Sequence, residues 1–468
     1  MKNYTVTLLD THFAQLLAAS RVDGSEIAAF LFCNRSVTDN QYKLLVTDFS
    51  LVEPEHILSR DDNHLTLKSG CYANAFARGH ADGQAVLFLH SHPGGYSHYS
   101  PVDEAHDAGM FKSAYDCAPN GLHGSAILVD GDEPHIIARL WEPSGKFLPV
   151  SRVRVVGLQR IHLFDRRLLE IETETNTWAD RQILALGADG QRLLSNLHVG
   201  VVGAGGTGSP VCEQLMRLGI SFTVIDPDLL EVTNVNRVCG ATVQLAEDKI
   251  SKVNLVALQA ARLGLPISVI PIQESTLEED ATRSLLDCDV VIGCSDDHLG
   301  RSILSRLAIW YYIPVIDIGL AFPSTGGKIV QVAGRMTKLV PGAPCLECHG
   351  VVSQNYSLAE NLFAHNKDEY RRQRALGYVP ELGIPNPSVV SFTFNIASRA
   401  ITELLELVTG FMNRSARYCQ LAELYNEPAL FQIDTKPKKG CWCADKANWG
   451  AGDTERFLGI SWQQKAKT

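Results

Sequence analysis

The stretch from Val199 to Ser209, VGVVGAGGTGS, restricts the fold of this chain more than any other. An apolar strand runs directly into Gly203, Gly205, Gly206 and Gly208, and a helical pattern comes next. Glycine at that density serves a tight strand-to-helix turn, where the helix N-terminus offers unpaired N–H groups to a phosphate. The next apolar strand ends at Asp226, about where an acid meets a ribose hydroxyl. From about Trp178 onwards β-like and α-like segments keep alternating, which predicts a Rossmann-like doubly wound parallel sheet. The turn by itself suits a nicotinamide-dependent oxidoreductase as well as an ATP-using enzyme.

The residues after that second strand separate the two. IDPDLLEVTNVNR presents Asp226, Asp228, Asn234 and Arg237; Lys252 comes next, and Asp296 stands after a later apolar strand in VVIGCSDD. An oxidoreductase has no evident use for this set. Attack of a carboxylate on the α-phosphate of ATP does, because cations must offset the charge building on the phosphoryl group and an acid must hold magnesium. These residues resemble the ThiF and ubiquitin-activating family of adenylyltransferases, whose pattern joins a GxGGxG loop, an acid at the second strand end, Asn-x-x-Arg, a lysine and a later aspartate. The family's upstream Arg-Gln and Gly-Gln pairs are here Arg181-Gln182 and Gly190-Gln191. The resemblance implies that the glycines, Asp226, Asp228 and Asn234 form the nucleotide site, with Asp226 on the ribose. It further implies that Arg237 and Lys252 contact phosphates and assist catalysis, that Asp296 supports magnesium, and that Arg181 reaches the ATP of a partner subunit in a homodimer. It covers Trp178 to Cys443.

The front of the chain has a different character. Short apolar runs such as EIAAFLF and AVLFLH are mixed with turn-rich stretches, which suggests an α+β domain. AVLFLH reads as a buried strand ending at His90, and alternation along it turns His90 and His92 to one side. Ser100 followed by Pro101 is a helix start, so Asp103 falls in the first helical turn and can face the histidines. Two imidazoles and a carboxylate form a three-ligand zinc set with a fourth position open, the pattern of a catalytic site. A further carboxylate must move protons, and Glu26 is the candidate.

This segment, HSHPGGYSHYSPVD with an upstream glutamate, resembles the JAMM metalloproteases, also called JAB or MPN+. That family implies a cytidine-deaminase-like α+β fold. It also implies zinc on His90, His92 and Asp103, Glu26 as general base, and Ser100 stabilising the tetrahedral intermediate. His98, inside the loop, is read as solvated.

Cys345 and Cys348 in APCLECHG, with Cys441 and Cys443 in GCWCAD, supply four thiolates for a closed structural zinc. The second pair departs from the family's usual Cys-x-x-Cys. No cysteine lies between His349 and Tyr418, where activating enzymes that form a thioester usually carry one; Cys419 reads as a packed thiol, and Cys239 and Cys294 as unpromising nucleophiles. The polar stretch from Gln354 to Pro380 resembles that family's mobile crossover loop.

Organisation and setting complete the expectations. The domains expected are 1–145, a linker over 146–177 that includes the strand-like VSRVRVV and most of the charged LLEIETETNTWADRQ, and 178–468. A formal net charge of -10 argues against nucleic acid as the main partner and favours a basic protein surface. No export signal is evident, and the most apolar helical stretch, Ser388 to Gly410, carries Arg399, Glu403 and Glu406, so no membrane span is expected. Twelve cysteines without a secretion signal suit a reducing, cytoplasmic setting. The reading is a bifunctional enzyme: zinc-dependent cleavage after the C-terminal glycine of a ubiquitin-like protein, and ATP-dependent adenylylation of that glycine. A conjugating-type enzyme is a candidate onward partner. The alternatives are activation of a sulfur-carrier protein towards a thiocarboxylate, or one half acting as a recruiting module without catalysis.

Overall fold

The computed structural model describes residues 2–62, 64–165, 177–325, 328–382, 387–427, 429–453 and 456–462. A 9-stranded mixed sheet forms the front. Its spatial order is Ile161–Asp165, Arg152–Val156, Asn3–Leu9, Gln41–Leu51, Ala28–Val37, Ala85–His92, His123–Val129, His135–Trp141, Phe147–Pro149. Asn3–Leu9 runs parallel to both neighbours and Ala85–His92 parallel to His123–Val129; the other pairs are antiparallel. Side chains alternate between faces. Leu31, Leu44 and Leu87 pack with Leu16 of the helix Asp10–Ser20 on one face. Phe30, Phe32 and Phe88 pack with Phe76 and Phe111 of the helices Ser69–Ala81 and Pro101–Cys117 on the other.

Those two helices cover only part of that second face. Further along it stand Lys43 and Thr5, in register with Arg152, and there the cover is the back half of the chain. Arg152 Nη1 donates to both oxygens of Asp289 at 2.8 Å, and its Nη2 donates to Asp165 at 2.7 Å. Arg154 donates to the Asp289 carbonyl and Lys43 Nζ to the Leu286 carbonyl. Leu9 and Leu45 join the apolar cluster of Trp310 and Tyr312. Asp453, from the C-terminal segment, accepts from the Val37 N–H at 2.6 Å while its own N–H donates to the Arg35 carbonyl at 2.8 Å.

The stretch expected as a linker, 146–177, instead contributes three strands, Phe147–Pro149, Arg152–Val156 and Ile161–Asp165, to the front sheet. Its strands lie on both edges of the front sheet, and its arginines Arg152 and Arg154 are buried in ion pairs, Arg154 at 2% exposure. Residues 166–176, all of LLEIETETN among them, lie outside the described residues.

The back half carries an 8-stranded sheet in the order Val269–Ile272, Ser221–Ile225, His198–Val202, Val290–Gly293, Val315–Ala321, Ala333–Leu339, Gln420–Leu424, Ala429–Ile433. The first five strands are parallel and the last three join antiparallel, a Rossmann-like sheet with an antiparallel extension. Its core joins Val199, Val224 and Ile292 to Ile396, Ala400 and Leu404 of the helix Val390–Thr409. The stretch from Gln354 to Pro380, expected as a loop, holds the helices Gln354–His365 and Lys367–Ala375. Asn366 caps the second, and Arg371–Asp368 and Arg372–Glu369 pairs line its surface, so its charges stabilise a helix instead of a coil. Among the described residues no helix is long and apolar enough to cross a membrane.

Candidate functional site

The strand Ala85–His92 and the helix Pro101–Cys117 bring the front constellation together. His90 Nε2 lies 3.1 Å from His92 Nε2 and 3.2 Å from Asp103 Oδ1; His92 Nε2 is 3.8 Å from Asp103 Oδ2. Three donor atoms bonded tetrahedrally at about 2.1 Å to one ion stand roughly 3.4 Å apart, so the set fits zinc. Its chemistry agrees. The Tyr96 carbonyl, 2.7 Å from His92 Nδ1, fixes the tautomer whose lone pair is on Nε2, and burial lowers the His92 pKa, which favours the neutral ring. The Nε2 atoms of His90 and His92, 3.1 Å apart, and the Asp103 carboxylate converge on one point where a single cation would sit.

Ser100 caps the helix: its Oγ accepts from the Asp103 N–H at 3.2 Å, and Asp103 Oδ2 accepts from the Ser100 N–H at 2.7 Å. Burial alone would raise the Asp103 pKa, but hydrogen bonds from His90 and Ser100 outweigh it and hold the carboxyl below its ordinary value. Glu26 comes from a distant part of the sequence. The register that pairs Ala28 with His90 sets it beside the histidines, 7% exposed. Burial pushes its carboxyl up to about 7, opposed by His90 and reinforced by Asp103, Asp61 and Asp62. Glu26, His90, His92, Ser100 and Asp103 all line one cavity of about 550 Å³, whose walls include Leu65, Tyr72 and Tyr96. His98 is not in the ligand group. Sequence reading missed Tyr72 and His106, joined at 3.0 Å in the cavity wall; no local pattern announces them.

In the back half, Gly203 has φ +92, and a Cβ there would lie 3.1 Å from the backbone of Cys294 and Ser295. A Cβ on Gly208 would meet the Gly203 carbonyl, whereas Gly205 faces open space. The first two glycines thus press the turn against the segment carrying Asp296, leaving the third side open. Asp226 ends its strand with Oδ2 accepting from the Ala204 N–H at 2.7 Å and Oδ1 from the Asp228 N–H at 2.8 Å. Burial raises its pKa, with Lys252 opposing. Lys252 Nζ sits 2.6 Å from Asp228 Oδ2 and 3.9 Å from Asp226 Oδ1. The Arg237 stem lies over the loop, its Cδ 3.0 Å from where a Gly206 Cβ would stand. Asn234 closes the turn, Oδ1 accepting from the Glu231 N–H at 3.1 Å. Asp296 is exposed in the loop before the helix His298–Tyr311, whose first N–H groups donate to Glu360. Arg181 stands elsewhere: its neighbour Gln182 bonds the Arg217 carbonyl at the far end of the helix that Gly208 begins.

The four cysteines meet as expected. Their sulfurs lie 3.5 to 3.7 Å from neighbours, close to the roughly 3.8 Å edge of a zinc tetrathiolate. The short turn Trp442–Ala444 lets Cys-x-Cys replace the wider spacing. Cys419 is buried and donates to the Ile433 carbonyl.

The sequence profile of the ThiF family matches residues 179–443, which take in the glycine loop, the cations and all four cysteines. The chain belongs to the ThiF family. Curated relatives include the SAMP-activating enzyme E1 of Haloferax volcanii, 29% identical over 166 residues, or 35% of this chain and 57% of that one. The adenylyltransferase and sulfurtransferase MOCS3 of Danio rerio is 27% identical over 176 residues, 36% of this chain and 35% of that one. The chain thus spans less than two thirds of either relative. The solved structure of E. coli MccB with MccA-N7isoASN has a TM-score of 0.45 at 16% identity, over 58% of this chain and 76% of that one.

Proposed function

We propose that the ThiF half of this chain adenylylates the C-terminal glycine of a small ubiquitin-like or sulfur-carrier protein. The observation that carries the reading is the open glycine loop with Asp226 and Lys252 on one side and the Asp296 segment pressed against it. The carboxylate of the cargo attacks the α-phosphate of ATP, the acyl-adenylate bond forms, and pyrophosphate leaves with the electron pair. Arg237 and Lys252 offset the charge on the phosphoryl oxygens, and Asp296 would hold magnesium, which when bound shares that charge. The names of the curated relatives favour sulfur-carrier activation as the destination. The thiols fit that: burial raises the pKa of Cys239 and Cys294, and Cys419 is fully buried, so these three are poor thioester formers. Mass analysis of the cargo after reaction with ATP and a sulfur donor tests this; a thiocarboxylate is expected, and an enzyme-linked thioester refutes it.

The front half, in the same proposal, is a zinc-dependent peptidase that exposes or frees that glycine end. His90, His92 and Asp103 would hold the zinc, which when bound makes a coordinated water acidic. Glu26, poised near 7 by its surroundings, takes the proton of the attacking water and passes it to the leaving amine, while Ser100 donates towards the developing oxyanion. Cleavage of a carrier extended beyond its terminal glycine is the direct assay; a chain loaded with zinc that leaves such extensions intact refutes the peptidase. Homodimerisation, which would bring Arg181 to a second subunit's nucleotide, belongs to this proposal too.

A further inference from the structure

Behind the first turn of the helix Pro101–Cys117 lies a buried ion pair that takes no part in the chemistry above. Asp107 is 1% exposed and Arg139 4%. Arg139 Nη2 and Nε donate to Asp107 Oδ2 at 2.8 and 3.2 Å, and Ser125 Oγ donates to the same oxygen. Arg139 and Ser125 belong to adjacent strands of the front sheet, Asp107 to the helix. The clamp extends further: Arg139 Nη2 lies 3.5 Å from the Asp103 carbonyl, and its guanidinium stacks 3.7 Å over the Tyr99 ring. The Tyr99 hydroxyl in turn donates to the Ser125 carbonyl at 2.9 Å. Residues 99, 103 and 107 are all tied to the sheet, and Ser100 sits between the ties.

A buried ion pair adds little net stability, since desolvation offsets most of the attraction, and an apolar pair would fill the space as well. Direction is what it adds. Asp103 and Asp107 are one helical turn apart on the same face, so fixing Asp107 sets the rotation of the turn that aims the Asp103 carboxylate at His90 Nε2. Groups that orient metal ligands from behind commonly control affinity. We infer that Arg139 and Asp107 are positioning residues, which set the geometry of Asp103 and Ser100 through this clamp; the inference rests on the peptidase proposal.

The test uses the full chain with its tetrathiolate site kept filled by zinc, and titrates Co(II) into the His90 site. Arg139→Met and Asp107→Asn are expected to weaken Co(II) binding about 10- to 100-fold and to shift its visible spectrum. Cleavage should lose kcat more than KM, while pyrophosphate exchange in the back half, unchanged, reports an intact fold. Arg139→Lys keeps the charge without the forked contact and recovers only part of the affinity. If Arg139→Met does not fold, Tyr99→Phe, which removes one hydroxyl, gives a smaller loss in the same direction. Co(II) affinity and spectrum equal to wild type across these variants overturn the positioning role and leave the peptidase standing. A wild-type chain that takes up no Co(II) beyond the tetrathiolate overturns both.

Discussion

Replacing Asp289 by asparagine should cost the whole chain several kcal/mol, although the residue lies in neither site. Its carboxylate accepts two 2.8 Å bonds from Arg152 Nη1 and a third from the His198 N–H at 3.0 Å, and it is 7% exposed. Burial pushes its pKa up, but Arg152 and Arg154 outweigh that and move it from 3.8 to about 2. At 1.36 kcal/mol per pH unit, the shift corresponds to about 2 kcal/mol of stability at neutral pH. The substitution also removes the carboxylate charge that Arg152 Nη1 holds and that lies 3.9 Å from Arg154 Nε, in a buried setting, which raises the expected loss to about 3–5 kcal/mol. Urea unfolding at pH 7 followed by tryptophan fluorescence measures it. The sign of the pH dependence is fixed as well: the folded pKa lies below the unfolded one, so the stabilisation is whole above about pH 4 and is lost as pH falls towards 2. The gap between wild type and Asp289→Asn should close over that window. A loss under about 1 kcal/mol at pH 7, or a gap that does not narrow in acid, would show the arginines to be hydrated and the interface reasoning to be wrong.

The two sites yield further expected outcomes. Glu26→Gln should keep metal at His90 and His92 yet lose cleavage about 10²- to 10⁴-fold; undiminished turnover excludes Glu26 as the proton carrier. Arg237→Ala and Asp296→Ala should each lower ATP–pyrophosphate exchange about 10²- to 10³-fold, and unchanged exchange would falsify the nucleotide assignment. Cys443→Ser should lower the metal content by about one equivalent and the thermal midpoint with it, since a structural zinc contributes folding energy directly; a full metal complement in that variant sinks the tetrathiolate.

The convergence of His90, His92 and Asp103 was legible because they lie within one short stretch, where strand alternation and a Ser-Pro helix start are local rules. The glycine turn was legible for the same reason. Glu26 is another matter: only the pairing of Ala28 with His90 sets it beside the histidines, and no spacing encodes that. The segment VSRVRVV showed the right period for a strand but was placed in a linker, because the partner that buries its arginines, Asp289, lies more than a hundred residues away in the other half. In the crossover stretch the helix Lys367–Ala375 escaped because it carries surface ion pairs and one buried side chain, Tyr370, rather than an apolar stripe. Arg139 left no trace at all, since a lone arginine in a strand acquires its meaning from Asp107 and Tyr99 across the sheet.

The back half roofs part of the front sheet, and that has a consequence for anyone dissecting the chain. Severing it at the join would strip Lys43, Arg152 and Arg154 of their counterpart and bare the flank of Leu9 and Leu45, so each excised piece should clump before it could be assayed. The two proposed sites, riveted to one handle, point in fixed directions. Cargo that visits both must travel a constant path between them, and a linker engineered in to lengthen that path would have to break the rivets first.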